Sequence, residues 1–130
     1  GNYTDAFDQY SQFGEYLNDT GRPIYYDLCG WNWYYATVGR SFSNSWRIAG
    51  DDGTWDSIIN TFNIAYTGMH KYGNSYGWNN MDLLYSANKN STFNIGKITE
   101  QQARAQFSMY AVGSSNLIIS NAIAYLSEYD

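Results

Sequence analysis

Four short apolar runs, starting near residues 23, 46, 76 and 116, alternate with longer stretches of helical periodicity. Pro23 to Leu28 (PIYYDL), Trp46 to Gly50 (WRIAG), Tyr76 to Asn79 and Asn116 to Ser120 (NLIIS) read as strands. Ahead of them, DAFDQYSQFGEYLN places Ala6, Tyr10, Phe13 and Leu17 on one helical face, with Thr4 as N-cap and Gly21 just past the end. In TWDSIINTFNIAYT, residues Trp55, Ile58, Ile59, Phe62, Ala65 and Tyr66 recur at helical spacing. Thr99 and Gln102 form a capping box for a further helix, whose apolar face is Ala103, Phe107 and Tyr110 or Ala111. AIAYLSEY makes a last short helix. Strands separated by helices pair in parallel through right-handed crossovers, so the class is α/β. No linker interrupts the chain, which reads as one domain over 1–130 with no second domain.

The chemistry gathers at one end of this pattern. Cys29 and Trp31 follow the first strand, and Asp51 and Asp52 the second. Asn79, Asn80 and Asp82 follow the third, and Ser120 and Asn121 the fourth. Polar and aromatic residues at the carboxyl ends of parallel strands are the active-site layout of a β/α barrel. A complete barrel takes eight strands and typically about 250 residues. These 130 residues supply about half of that.

Composition narrows the partners. The net charge is −5 and the seven Lys and Arg residues are scattered, which argues against a nucleic-acid backbone as ligand. Runs such as LIIS are too short to span a bilayer. Fourteen Tyr, six Phe and five Trp suit a chain that meets carbohydrate or another protein, and serve equally well as core residues. One His and one Cys make no metal set of usual spacing, and His70 reads as an exposed loop residue. No cofactor is implied. The sequons at Asn2, Asn18 and Asn90 point to a glycosylated, secreted protein. Gly1 does not look like an initiator and no signal peptide follows it, so the chain reads as a processed product or a piece of something longer.

Two constellations carry the sharper chemistry. In SNSWRIAGDD, Arg47 and Asp51 lie four apart around a short strand, so alternation lets both face one mouth. Arg can then hold a carboxylate or sugar hydroxyl in a fork, and Asp can carry a proton. A structural Arg–Asp pair, with Asp52 capping the next helix, fits the spacing as well. In GWNNMDLL, Trp78 stands beside Asn79, Asn80 and Asp82, a set that suits a pyranose and also suits a loop closed by its own side chains.

Three runs, LNDTGRPIYYDLCGW, NSWRIAGDD and GWNNMDLL, resemble glycoside hydrolase family twenty-seven, the α-galactosidases and α-N-acetylgalactosaminidases. EQQARAQFSMYAVGSSNLIIS is similar to the family's last helix and strand. The resemblance implies a (β/α)8 TIM-barrel fold, of which this chain carries strands five to eight, and retaining cleavage of terminal α-galactosides. It maps Asp51 onto the family's acid/base and Arg47 onto the arginine that contacts the sugar near the reacting carbon. Trp31 falls in the loop that helps set substrate choice, and Asp82 on the second aspartate of a W-N-D-x-D run. With Trp78, these are candidate sugar-binding residues.

The departures are equally specific. Asn80 replaces the first aspartate of W-N-D-x-D, Met81 the proline after it, and Ser115-Asn116 a Ser-Pro. The family's nucleophilic aspartate lies in a Y-D-N-C run, and this chain contains none. Retaining hydrolysis needs two carboxyl groups about 5–5.5 Å apart, so the chain alone is expected to be inactive. By the same resemblance, Cys29 pairs with the cysteine of Y-D-N-C, which makes it half of a disulfide to a missing segment. A small buried thiol is the other reading. The expected partner is the amino-side half of the barrel, or a second copy covering the sheet edges. An alternative function is a non-catalytic carbohydrate-binding or assembly module on the same fold.

Overall fold

The computed structural model describes residues 3–85, 98–120 and 123–126. Helix α1 (Tyr3–Asp19) comes first, followed by strand β1 (Asp27–Leu28), helix α2 (Trp33–Val38) and a 3₁₀ turn (Gly39–Ser41). Strand β2 (Ser45–Arg47) leads to helix α3 (Trp55–Ile64), which widens into a π turn (Ala65–Met69). Strand β3 (Trp78–Asn80), helix α4 (Glu100–Val112) and a 3₁₀ turn (Ile123–Tyr125) complete the order. The three strands pair in parallel in the order β1-β2-β3, with Leu28 opposite Trp46 and Arg47 opposite Asn80.

Alternation along these strands separates two faces. Leu28, Trp46, Ile48 and Met81 point into the helical layer and are buried with Ala36, Ile58, Met69 and Tyr110. Trp46 is fully buried, and its indole N–H donates to Asn79 Oδ1 at 2.8 Å. Asn79 in turn donates to the Met69 carbonyl at 2.7 Å, so the buried indole and this amide are both paired. Gly77 is required beside it, because a Cβ there would lie 2.5 Å from the Trp46 ring.

The strands are shorter than the sequence predicts, and at β1 and at the fourth strand the shortfall has a local cause. At β1 the side chain of Asn44 accepts the Tyr26 N–H at 2.8 Å, in place of a ladder partner. The predicted fourth strand reduces to a single parallel bridge between Leu84 and Ile119. Asp82, at φ 85°, turns the chain out of register after β3, and pairing resumes only at Leu84. The Leu84 N–H donates to the Ile118 carbonyl at 2.8 Å, and the Ser120 N–H donates to the Leu84 carbonyl at 3.1 Å.

Other expectations are met or corrected residue by residue. Thr99 and Gln102 form the expected capping box at the start of α4. The buried face of α4 carries Gln106 and Tyr110, however, and Phe107 is exposed. Gln106 serves the interrupted ladder: its amide donates to the Leu83 carbonyl at 3.0 Å and accepts the Tyr85 N–H at 2.9 Å. Those backbone groups need partners, which outweighs burial of a phenyl ring. Tyr66 and Phe13 are also exposed. Thr4 lies within α1 rather than ahead of it, while Gly21 takes the left-handed conformation expected past a helix end. Helix α2 had no counterpart in the periodicity, being only six residues long. Within AIAYLSEY, Ile123–Tyr125 form a short 3₁₀ turn, and Ala122 and residues 127–129 lie outside the described residues.

Candidate functional site at the carboxyl ends of the strands

Arg47, the last residue of β2, organises this end of the sheet. One guanidinium nitrogen, Nη1, lies 3.0 Å from Asp51 Oδ1, and the other, Nη2, lies 3.1 Å from Asp82 Oδ2. Nη2 also donates to the Ala49 carbonyl at 3.3 Å, while Nε is buried without a partner. Burial works against the charge of Arg47, but Asp82 and Asp51 outweigh it and hold the guanidinium above its ordinary pKa.

The two carboxylates it holds differ sharply in exposure. The Asp51 side chain is 78% exposed and that of Asp82 only 7%. Asp82 Oδ2 also accepts the Asp52 N–H at 2.7 Å, so this carboxylate is committed to the scaffold. Its left-handed backbone is fixed because its own N–H donates to Asn80 Oδ1 at 2.8 Å.

Asp52 is buried behind this pair. Its carboxylate accepts from the Thr61 hydroxyl at 2.9 Å and the Tyr110 hydroxyl at 2.6 Å. Desolvation raises its pKa, and these two hydrogen bonds oppose the rise. It does not cap α3: Thr54 does, in a capping box with Ser57. The Tyr85 hydroxyl donates to the Asp52 carbonyl, and burial with Asp82 and Asp52 nearby pushes that phenol up to about 12.

Trp31 joins the cluster from the loop after β1. Its ring lies 5.9 Å from the Arg47 guanidinium carbon, a cation–π arrangement, and the side chain is half exposed. It adopts φ 54° between two constraints. Gly30 passes so close to the Tyr35 ring that a Cβ would sit 2.0 Å from it, and Asn32 accepts the Tyr34 N–H at 2.9 Å to start α2. The run C-G-W-N thus turns the indole toward Arg47.

Trp78 does not join. It stands at the start of β3, ahead of Asn80, and it lines a separate cavity of about 510 Å³ with Tyr25, Ser115, Asn116 and Ile118. Cys29 is a free, exposed thiol, and this chain has no second cysteine to bond it. Asn18 is exposed near the end of α1. Asn2, Asn90 and Asn121 lie outside the described residues. Ser120 is taken up by the Leu84 carbonyl at 2.7 Å. Among the described residues no group of His, Cys, Asp and Glu could hold a metal ion, and no helix is long and apolar enough to cross a membrane.

Sequence reasoning passed over Asp27. It sits on the sheet face away from the helices, where it accepts from the Ser45 hydroxyl and from Asn80 Nδ2, the latter at 2.8 Å. Desolvation raises its pKa, against the pull of those hydrogen bonds and of Arg47. A carboxylate inside the otherwise apolar run PIYYDL was the available signal.

A protein-family model described as alpha galactosidase A matches residues 1–129. The chain belongs to the alpha galactosidase A family. An alpha-galactosidase from Zygotorulaspora mrakii is 31% identical to it over 93% of this chain and 29% of its own length. One from Schizosaccharomyces pombe is 29% identical over 96% of this chain and 32% of its own length. The chain therefore spans about a third of these alpha-galactosidases. A glycoside hydrolase family-twenty-seven β-L-arabinopyranosidase from Geobacillus stearothermophilus shares the fold, with a TM-score of 0.77 at 20% identity. That match covers 94% of this chain and 30% of the arabinopyranosidase.

Proposed function

We propose that this chain is the carboxyl-side half, strands five to eight, of the barrel of a retaining α-galactosidase. Asp51 is the acid/base: it protonates the leaving oxygen and then takes a proton from the attacking water. Arg47 orients the sugar and Trp31 walls the pocket. Asp82 acts through Arg47 rather than on the sugar, because its carboxylate is buried and already bonded. The observation that carries this reading is the two-nitrogen grip of Arg47 on one exposed and one buried carboxylate, in a chain matched by the family over 1–129.

The nucleophile comes from an upstream Y-D-N-C segment, whose cysteine bonds Cys29. The substrate is a terminal α-linked galactoside, and the protein is secreted, with Asn2, Asn18 and Asn90 as glycosylation sites. The test is hydrolysis of an aryl α-galactoside by the complete native polypeptide carrying this chain, followed by proton NMR. The α anomer of galactose is expected to appear first, since two displacements retain configuration. First formation of the β anomer would overturn the reading.

The second reading, a carbohydrate-binding module without turnover, is favoured by one observation: Asn80 stands where the family's W-N-D-x-D run has its first aspartate, so a charge is lost at this end of the sheet. Galactoside binding by the complete polypeptide with no hydrolysis would select it.

A further inference from the structure

We infer that Asp27 is a positioning residue for the acid/base, acting through the side-chain amide of Asn80. The inference rests on the reading of Asp51 as the proton-transferring group. An amide can face its neighbours in two orientations, and a carboxylate that only accepts hydrogen bonds selects one of them. Asp27 Oδ2 lies 2.8 Å from Asn80 Nδ2, which turns Asn80 Oδ1 toward the Asp82 N–H, also at 2.8 Å. The opposite orientation sets the NH₂ group of Asn80 against that N–H, donor against donor. Asp82 would then lose the bond that holds its left-handed backbone, and with it the aim of its carboxylate at Arg47, 3.1 Å away. Arg47 holds Asp51 at 3.0 Å. An unbroken chain of bonds thus runs from β1 through β3 and β2 to the exposed carboxylate.

Asp27 is itself held on its other oxygen. The Ser45 hydroxyl donates to Oδ1, and Asn116 Nδ2 donates to Ser45 Oγ at 3.0 Å. Each bond in this set runs from one donor to one acceptor, so the polarity of the chain is defined from Asn116 to Asp82. One carboxylate and one amide, shared between positions 27 and 80, satisfy it. Either order of the two works. With the pair exchanged, the amide now on β1 would donate to the carboxylate now on β3 and accept from Ser45. That carboxylate would still accept the Asp82 N–H. Two carboxylates repel at this distance, and two amides leave the orientation undetermined.

The test uses the complete native polypeptide and four variants: Asn80→Asp, Asp27→Asn, both together, and Asp51→Asn. For each, kcat/KM is measured on an alkyl α-galactoside, whose leaving group needs a proton, and on an activated aryl α-galactoside, whose leaving group does not. Asn80→Asp is expected to lose at least about tenfold more on the alkyl than on the aryl substrate, as general-acid loss does. The double exchange is expected to return that ratio to within about threefold of the native value, by the same measure. Asp27→Asn gives an intermediate ratio and keeps the test open should Asn80→Asp not fold. Equal losses on both substrates, or a double exchange no better than the worse single one, overturn the inference. With Asp51→Asn selective for the alkyl substrate, that failure belongs to Asp27 alone. An unselective Asp51→Asn overturns the Asp51 reading and this inference with it.

Discussion

Arg47 Nη1 stands 3.0 Å from Asp51 Oδ1, across the turn that follows β2, while its other terminal nitrogen is engaged by a buried carboxylate. One rigid, planar cation therefore sets the place of the exposed Asp51. Lysine offers a point charge on a flexible stem and cannot hold two carboxylates in fixed directions. Arg47→Lys is accordingly expected to lower kcat/KM for α-galactosides by about tenfold or more, an effect typical of a displaced acid/base group. Steady-state kinetics on the complete polypeptide check this. Unchanged constants would show that the fork is not needed.

Asp82 is expected to matter for folding as much as for chemistry. Its carboxylate is buried, pairs with Arg47 and accepts the Asp52 N–H. Removing one member of a buried pair leaves the other charge uncompensated, a loss of about 3–5 kcal/mol. Asp82→Ala should show a loss of this size in guanidinium unfolding. Asp82→Asn, which keeps an acceptor for the Asp52 N–H, should show less.

Asp52 supplies a pH dependence with a definite sign. Burial raises its folded-state pKa above the ordinary value of 3.8. Its contribution to stability is full below that value and is lost as pH rises through the folded pKa, because the folded state binds the extra proton. Asp52→Asn removes this term. The melting temperature of the variant minus that of the native protein should therefore rise between about pH 3.5 and about pH 7. A difference that falls over this range contradicts the assignment.

The close approach of Gly77 to Trp46 gives a packing prediction. A Cβ at 2.5 Å from the indole has to displace a ring that is fully buried. Gly77→Ala should cost about 1–3 kcal/mol, the usual range for overpacking. Denaturant unfolding measures it, and a neutral exchange would mean that the ring can move.

Much of this arrangement was legible in the chain itself. Arg47 and Asp51 at even spacing around a strand do meet, and Thr99 with Gln102 does start a helix. Trp31 also arrives beside Arg47. What escaped were the features set by distant backbone. Asp82 leaves the strand direction at φ 85°, so the fourth strand shrinks to one bridge, and Gln106 rather than Phe107 turns inward to pair the exposed ladder groups. No periodicity encodes that demand. Trp78 lies apart from Arg47 for a related reason: spacing assigns it a face of the sheet but not a level along the strand. Asp27 was passed over because its partners, Ser45 and Asn80, are 18 and 53 residues away in sequence.

In the proposed function, Asp51 transfers the proton in galactoside cleavage. The most direct measurement of this role is the alkyl α-galactosidase activity of the complete native polypeptide with Asp51→Asn, beside the unaltered protein. A fall of about two to four orders of magnitude in kcat/KM, the usual contribution of a general acid–base group, is the predicted result. Activity equal to that of the unaltered protein would contradict it.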